Sequence, residues 1–244
     1  SSNTLTATNN AEINLGGTNT LSGGTTWNIN SGADLLSFGA MHIGTGDGVT
    51  SVTIDGMGSS LTAGFFSEWG TLGNTAHVSI RNGATATVGS TNIARSAISG
   101  TTATLSVESG ATMNAGSLFV STLGGGTTTG ILTITGPGST LTQTGSSLLT
   151  LGHASSGSAT LNVLDGGIFN SGAGTITIDA TGAVNIGSAT TSGTFNANGN
   201  VNVSGGSINV TSGSFNLVSD GPFTASQNAQ INVDGFVELA GGTN

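Results

Sequence analysis

A short pattern of two apolar residues, separated by one residue and followed by a glycine, returns through the first two thirds of the chain. It begins at six nearly evenly spaced positions: Trp27, Val52, Val78, Leu105, Leu132 and Leu161. Alternating apolar residues lie on one face of a β-strand, whereas an amphipathic helix shows apolar residues three and four positions apart. A period of roughly 25 to 29 residues with this alternation is typical of stacked coils, in which each coil buries its inner face against the next.

The repeat that begins at Leu105 illustrates what one period contains. Its apolar residues alternate in three groups, namely Leu105 and Val107, then Ala111, Met113 and Ala115, then Leu118 and Val120. Steps such as Asn82-Gly83 and Asp165-Gly166 separate such groups, where the chain must turn with a positive φ. Antiparallel hairpins would instead show tight turns every ~8 to 12 residues. We therefore predict an all-β, right-handed parallel β-helix, or β-solenoid, with three strands per rung and about ten rungs.

The spacing of the apolar pairs changes after about residue 175. The pairs then recur at roughly half the earlier spacing or less, as at Ile176 and Ile178, Val184 and Ile186, and Val201 and Val203. Smaller rungs would produce this change. We predict a single β-solenoid domain over residues 1–244. It has an N-terminal rung over 1–26, repeats of roughly 25 to 29 residues over 27–174, and shorter rungs over 175–244.

Composition agrees with a folded, helix-free chain. Glycine accounts for 43 of 244 residues and charged residues for 5%, yet the mean hydropathy is +0.19, which disordered low-complexity chains rarely show. The helix formers Lys, Arg, Gln and Glu are nearly missing, so we expect no long helix.

Charge and cysteine content narrow the classes of partner. The net charge is −9, with no lysine and two arginines, so we expect no nucleic-acid partner, because counterion release needs basic residues. No apolar run approaches the ~18 residues of a membrane-spanning helix, so we expect no membrane insertion of this segment. The chain has no cysteine, and its three histidines, His42, His77 and His153, are far apart in sequence. We therefore also expect no cofactor and no metal site.

Three segments resemble the repeats of bacterial autotransporter passengers and related secreted β-strand-repeat surface proteins. They are Ile-Thr-Gly-Pro-Gly-Ser-Thr-Leu-Thr at 134–142, Leu-Thr-Leu-Gly-His at 149–153 and Leu-Asn-Val-Leu-Asp-Gly-Gly at 161–167. The resemblance covers roughly residues 25–175, and its Gly-x-Gly-Ser-x-Leu-Thr element is the most distinctive part. It implies a right-handed β-helix that is exported to the cell surface or the medium, where it serves as a stalk, adhesive or matrix component without an active site.

The two ends of the sequence both have the pattern of strands, at 4–15 and at 231–239, and no polar cap is apparent. Uncapped parallel edges invite pairing with another chain. We therefore expect a non-enzymatic, extracellular rod or filament-forming protein whose ends stack head to tail, or whose rungs continue in a longer passenger. The alternative is an adhesin-type passenger segment that binds a host protein or a surface glycan.

Two groups of residues are the candidate sites. Phe65, Phe66 and Trp69 lie in an irregular stretch, which predicts an exposed aromatic contact patch. Arg81 and Glu108 occupy the same position of consecutive repeats and are expected to form an ion pair between rungs on the outer face. Arg95 has no evident partner in the sequence.

Two other functions have less support. A polysaccharide lyase needs a basic group at its site, and the two arginines and scattered carboxylates suggest no catalytic residue, so we expect no enzyme. Ice binding would need a flat array of threonines. Thr-x-Thr pairs do occur, at Thr85 and Thr87, Thr140 and Thr142, and Thr175 and Thr177. Their spacing predicts that they do not recur at the same position of each rung.

Overall fold

The computed structural model describes residues 3–64, 67–71, 74–96, 98–122, 127–153, 157–218 and 221–239. These residues form 29 strands, numbered β1 to β29 in chain order, and contain no helix. The strands make three sheets, which we call A, B and C.

Sheet A has ten strands, in this spatial order: β1 (Asn3–Ala7), β4 (Thr25–Asn30), β7 (Val49–Asp55), β10 (Thr75–Arg81), β13 (Thr102–Glu108), β16 (Thr129–Thr135), β19 (Ser158–Leu164), β22 (Gly182–Ile186), β25 (Ser207–Val210) and β28 (Gln230–Val233). Sheet B also has ten: β2 (Glu12–Leu15), β5 (Asp34–Ser37), β8 (Ser60–Ala63), β11 (Thr85–Val88), β14 (Thr112–Ala115), β17 (Thr140–Gln143), β20 (Ile168–Asn170), β23 (Gly193–Ala197), β26 (Gly213–Leu217) and β29 (Phe236–Leu239). Sheet C has nine: β3 (Asn19–Ser22), β6 (Met41–Thr45), β9 (Ser67–Trp69), β12 (Thr91–Ile93), β15 (Leu118–Val120), β18 (Leu149–Leu151), β21 (Ile176–Asp179), β24 (Val201–Ser204) and β27 (Phe223–Ser226).

Each strand from β4 to β26 pairs in parallel with the strand three places before it and the strand three places after it, as β10 does with β7 and β13. The three strands at each end of the described solenoid pair on one side only. One turn of the chain therefore contributes one strand to each sheet. The described residues complete nine such turns and add two strands of a tenth. The predicted parallel β-solenoid with three strands per rung is confirmed.

The length of each rung follows from the register of sheet A. The partners Leu132 and Leu161 are farther apart in the sequence than Trp27 and Val52, so the rungs first lengthen. The next partners, Leu161 and Val184, are closer together than either of these pairs. The later rungs are shorter, as predicted, but not by half. In these later rungs all three strands of a turn carry an apolar pair. The short spacing in the sequence therefore separates strands of different sheets within one rung, and not successive rungs.

The interior is a set of apolar rows, because the inward residue of each strand stacks on the equivalent residue of its neighbours. One row in sheet A runs through Val78, Leu105, Leu132 and Leu161, all of them fully buried. In sheet B, the rings of Phe169, Phe195 and Phe215 stack with centroids 4.8 and 5.2 Å apart. Trp27, the first apolar residue of its repeat, packs partly buried against this core.

The Gly-x-Gly-Ser element forms the corner between sheets A and B. Gly56 and Gly58 have φ of +89° and +83°, a region that favours glycine. The hydroxyl of Ser59, which is fully buried, donates to the Asp55 carbonyl at 2.8 Å and accepts the Gly32 N–H of the preceding rung at 3.0 Å. The second copy repeats the inter-rung contact, since Ser139 Oγ accepts the Gly110 N–H at 3.0 Å. This motif therefore ties neighbouring rungs together.

Asparagine ladders run along the outer faces of the last rungs. In sheet A, Asn185 donates to Asn162, Asn209 to Asn185 and Asn232 to Asn209, through Nδ2 to Oδ1 at 2.8 to 2.9 Å. In sheet B, Asn196 donates to Asn170 and Asn216 to Asn196, both at 2.8 Å. Every amide donates toward the preceding rung.

Candidate functional site

The ion pairs among the described residues lie at two places. The first lies on the outer face of sheet A, where Asp55, Arg81 and Glu108 are neighbours in consecutive rungs. Arg81 Nη2 and Nε lie 2.9 and 3.0 Å from Asp55 Oδ2, and Asn82 donates to Asp55 Oδ1 at 2.7 Å. Arg81 is thus paired with the rung before it.

The predicted ion pair between Arg81 and Glu108 has the correct register but the wrong partner. Ser79 Oγ donates to Glu108 Oε1 at 2.7 Å, and Ser106 Oγ does so at 3.4 Å. The longer glutamate side chain therefore meets hydroxyls next to it, while Asp55 meets the guanidinium. The sequence spacing predicted correctly that Arg81 and Glu108 align. It could not predict the ion pair, because Arg81 has a carboxylate in the rung on either side, Asp55 and Glu108.

The second charged cluster lies on sheet C. Glu68 lies between His42 and Asn92 in register, and its Oε2 is 3.3 Å from His42 Nδ1. Arg95, which follows β12, places Nη1 3.3 Å from Glu68 Oε1. Arg95 therefore has a partner in the preceding rung, Glu68, although no partner was evident from the sequence. Among the described residues, no group of three or more His, Cys, Asp and Glu side chains could hold a metal ion.

The predicted aromatic contact patch is not supported by Trp69. Its side chain is 1% exposed and lies in the inward row of sheet C, between Ile43 and Ile93. It is a core residue. The signal that could have indicated this is that Ser67 and Trp69 flank the charged Glu68 in β9, so that both lie on the face opposite to it. Phe65 and Phe66 lie outside the described residues.

The outer face of sheet B is different, because hydroxyls and an amide occupy it in two rows over four rungs. We call this the hydroxyl face and define it by the outward residues of β8, β11, β14 and β17: Ser60, Thr62, Thr85, Thr87, Thr112, Asn114, Thr140 and Thr142. In the first row, Ser60, Thr85, Thr112 and Thr140 are direct partners, and the other four residues form the second row.

The expectation that Thr-x-Thr pairs do not share a rung position is therefore wrong for two of the three pairs. Thr85 and Thr87 lie at the same positions as Thr140 and Thr142, two rungs away. Thr177 belongs to sheet C and does not join them. The alignment is hidden in the sequence because successive rungs differ slightly in length, so that Thr85, Thr112 and Thr140 are unequally spaced.

The C-terminal end of the described solenoid holds an apolar cavity of about 170 Å³. It lies where the last rungs leave their inner rows uncovered, and Ile231 and Val233 of β28 are 40% and 44% exposed. The cavity is lined by Ile208, Phe215, Phe223, Ile231, Val233 and Val237. The partly buried Leu5, Ile13 and Leu15 occupy the inner face at the N-terminal end.

Comparison with solved structures gives a weak likeness. No family model matches the chain, and no curated protein matches it. A crystal structure of the TibC-catalyzed hyper-glycosylated TibA fragment aligns with 16% identity, covers 96% of this chain and 100% of that one, and has a TM-score of 0.23. No helix in the described ranges is long and apolar enough to cross a membrane.

Proposed function

We propose that this chain is a non-enzymatic structural rod, exported to the bacterial surface or medium, whose ends stack head to tail. Its inner rows are apolar and its outer faces carry mostly Thr, Ser and Asn, so the fold presents a polar shaft. Export is in keeping with the resemblance of residues 25–175 to autotransporter passengers.

The observation that carries the stacking proposal is the apolar, unpaired edge at each end of the described rungs. An unpaired parallel edge offers main-chain N–H and C=O groups to another strand. At the C-terminal end this edge also borders the apolar cavity. Covering water-exposed apolar surface with a partner stabilises the contact by about 25 cal/mol for each Å² that is buried.

The two ends complement each other when the rows are continued from one copy into the next. In sheet A, β28 would pair with β1 of the next copy, so that Ile231 meets Leu5 and Asn232 meets Thr6. In sheet B, β29 would pair with β2, so that Val237 meets Ile13. Among the described residues sheet C ends one strand earlier, at β27, so we propose the contact for sheets A and B. Such a heterologous contact does not close and produces filaments.

Electron microscopy and light scattering of the purified 244-residue chain test this proposal. We expect filaments, or particles whose mass rises with concentration. Ile231→Glu places a charge in the end cavity and should reduce assembly at least tenfold. Met57→Glu adds the same charge at a corner residue that is 84% exposed and should assemble as the parent does. Uniform short particles at high concentration, or equal assembly of the two variants, would refute the stacking.

The second candidate function, an adhesin-type segment that binds a glycan, has the His42, Glu68 and Arg95 cluster in its favour. The Glu68 carboxylate and the Arg95 guanidinium are both partly exposed, and such groups can accept from and donate to sugar hydroxyls. Glu68→Gln should then weaken glycan binding in a glycan array, whereas Glu12→Gln should not.

A further inference from the structure

We propose that the hydroxyl face binds the crystalline surface of ice. The face is a two-dimensional grid, since neighbouring rungs are about 4.8 Å apart and alternate residues along a strand are about 6.6 Å apart. Hydroxyl spacings of this order resemble the spacing of oxygen atoms in ice. The grid spans four rungs and six of its eight residues are threonine.

Most hydroxyls of the grid are available to an external partner. The exceptions are Ser60, which donates to Asp34 Oδ1 at 2.5 Å, and Thr142. In the described part of the chain, the side chains of Thr62, Thr85, Thr87, Thr112 and Thr140 make no hydrogen bond, and the first four of these residues are exposed. The amide and hydroxyl rows farther along sheet B satisfy one another instead, beginning with Asn170, which donates to Thr142 at 3.3 Å.

The grid is held rigid from within. The residues that alternate with the hydroxyls are fully or almost fully buried, so a strand cannot rotate without exposing its core residue: Leu61, Ala86, Met113 and Leu141. Threonine is β-branched, which restricts its χ1 rotamers. A pre-ordered array loses little conformational entropy when it binds, and this favours binding to a fixed lattice.

The charge of the face matches a neutral, crystalline partner. The chain carries a net charge of −9, yet the outward positions of β8, β11, β14 and β17 hold no ionisable residue. The charges of the same rungs lie outside sheet B, at Asp55, Arg81 and Glu108 on sheet A, at Glu68 on sheet C and at Arg95 after β12. The carboxylate of Asp34, in the preceding rung of sheet B, borders the first row beside Ser60 and marks the edge of the neutral face. Charged groups hold their own hydration shells, whereas hydroxyls and methyl groups can adopt the order of a lattice of water.

A crystalline polysaccharide is the other flat, neutral lattice with hydroxyl groups. Carbohydrate surfaces are commonly bound by aromatic rings, whose apolar faces provide large contact area. None of the eight residues that define the hydroxyl face is aromatic, so ice is the better match.

The test measures how much of the purified chain is taken up by a slowly growing ice crystal, together with thermal hysteresis and inhibition of ice recrystallisation. We expect the parent chain to be enriched in the ice. The double variant Thr87→Lys and Thr112→Lys should lower that uptake at least tenfold. The control, Thr150→Lys and Thr177→Lys, places the same two charges in adjacent rungs on the outer face of sheet C and should retain the activity.

Three results would overturn the proposal: exclusion of the parent chain from ice, equal loss in both double variants while circular dichroism shows folded protein, or uptake by crystalline cellulose or chitin in place of ice. The end-to-end contact is tested by a different variant, Ile231→Glu, so failure of one proposal does not decide the other.

Discussion

At the scale of single residues, a buried serine hydroxyl fixes the corner that follows sheet A in two rungs. Ser59 and Ser139 each accept an N–H from the corner of the preceding rung. Both side chains are fully buried, so water cannot replace the hydroxyl. A buried N–H that loses its partner costs about 1–3 kcal/mol, which makes this serine a stabilising residue.

We expect Ser59→Ala to lower the free energy of unfolding by about 1–3 kcal/mol, because the Gly32 N–H would be left without an acceptor. Ser139→Ala should have the same effect through Gly110. Chemical denaturation followed by circular dichroism measures the change. Ser158→Ala, at an exposed strand position, is the control and should stay within about 0.5 kcal/mol of the parent chain. Equal losses at Ser59 and Ser158 would contradict the proposed role of the corner hydroxyl.

Local residue roles could be predicted from the sequence where one short segment determines them. Asn82 and Asp165 have φ of +56° and +52°, as expected for residues beside a turn glycine. The partner of Arg81 could not be predicted in the same way, because two carboxylates lie one rung from it and side-chain length decides between them. Glu68 and Arg95 are 27 residues apart, but Arg95 lies beyond β12 and outside the strand register, in which Glu68 is opposite Asn92, so the repeat pattern did not pair them.

At the scale of strands, the rungs after Leu161 are stabilised by a stack of aromatic rings. Phe195 lies between Phe169 and Phe215, and both flanking rings are within 5.2 Å of it, measured between centroids. Phe223 adds an edge-on contact at 6.3 Å with Phe215. Stacked rings in tilted geometries contribute about 0.5–1.5 kcal/mol beyond the area that they bury.

We expect Phe195→Ala to destabilise the protein by about 3–5 kcal/mol, since it opens a cavity and removes two ring contacts. Differential scanning calorimetry or denaturant unfolding would measure the loss. Phe38→Ala removes the same side chain where it is 64% exposed, and its effect should be within about 0.5 kcal/mol. A small effect at Phe195 would mean that the C-terminal rungs do not depend on this stack.

The strands and their three-per-rung arrangement could be predicted because alternation and glycine turns are local features. The alignment of one rung with another could not, since it depends on how many residues each corner contains. The step from Thr112 to Thr140 is longer than the step from Thr85 to Thr112, yet all three threonines lie in one row. The hydroxyl face therefore became apparent only from the register.

At the scale of the whole molecule, the chain offers trypsin very few cleavage sites. It has no lysine, and its two arginines are Arg81, at the end of β10, and Arg95, which follows β12. The repeat pattern predicts that both arginines lie in the hydrogen-bonded rungs, but Arg95 lies outside a strand. Its neighbours Ala94 and Ser96 are nonetheless buried, so a protease needs local unfolding to reach the bond.

We expect the native chain to remain intact under trypsin for far longer than the urea-unfolded chain, which should yield three fragments. Gel electrophoresis with mass spectrometry would identify the products. Any slow native cleavage should occur at Arg95, and Arg95→Gln should abolish it. Rapid native cleavage at Arg81 would show that the central rungs open far more readily than a packed solenoid allows.

The asparagine ladders give this shaft a direction. Because each amide points its N–H toward the preceding rung, the column acts as a row of aligned dipoles, and Asn232 finishes it with a carbonyl oxygen that no described side chain uses. The next copy must present a hydrogen-bond donor to this oxygen, as the Thr6 hydroxyl of its N-terminal end would. A copy that presented its C-terminal end could not continue the column. Filaments of such rods would consequently be polar, with one fast-growing and one slow-growing end.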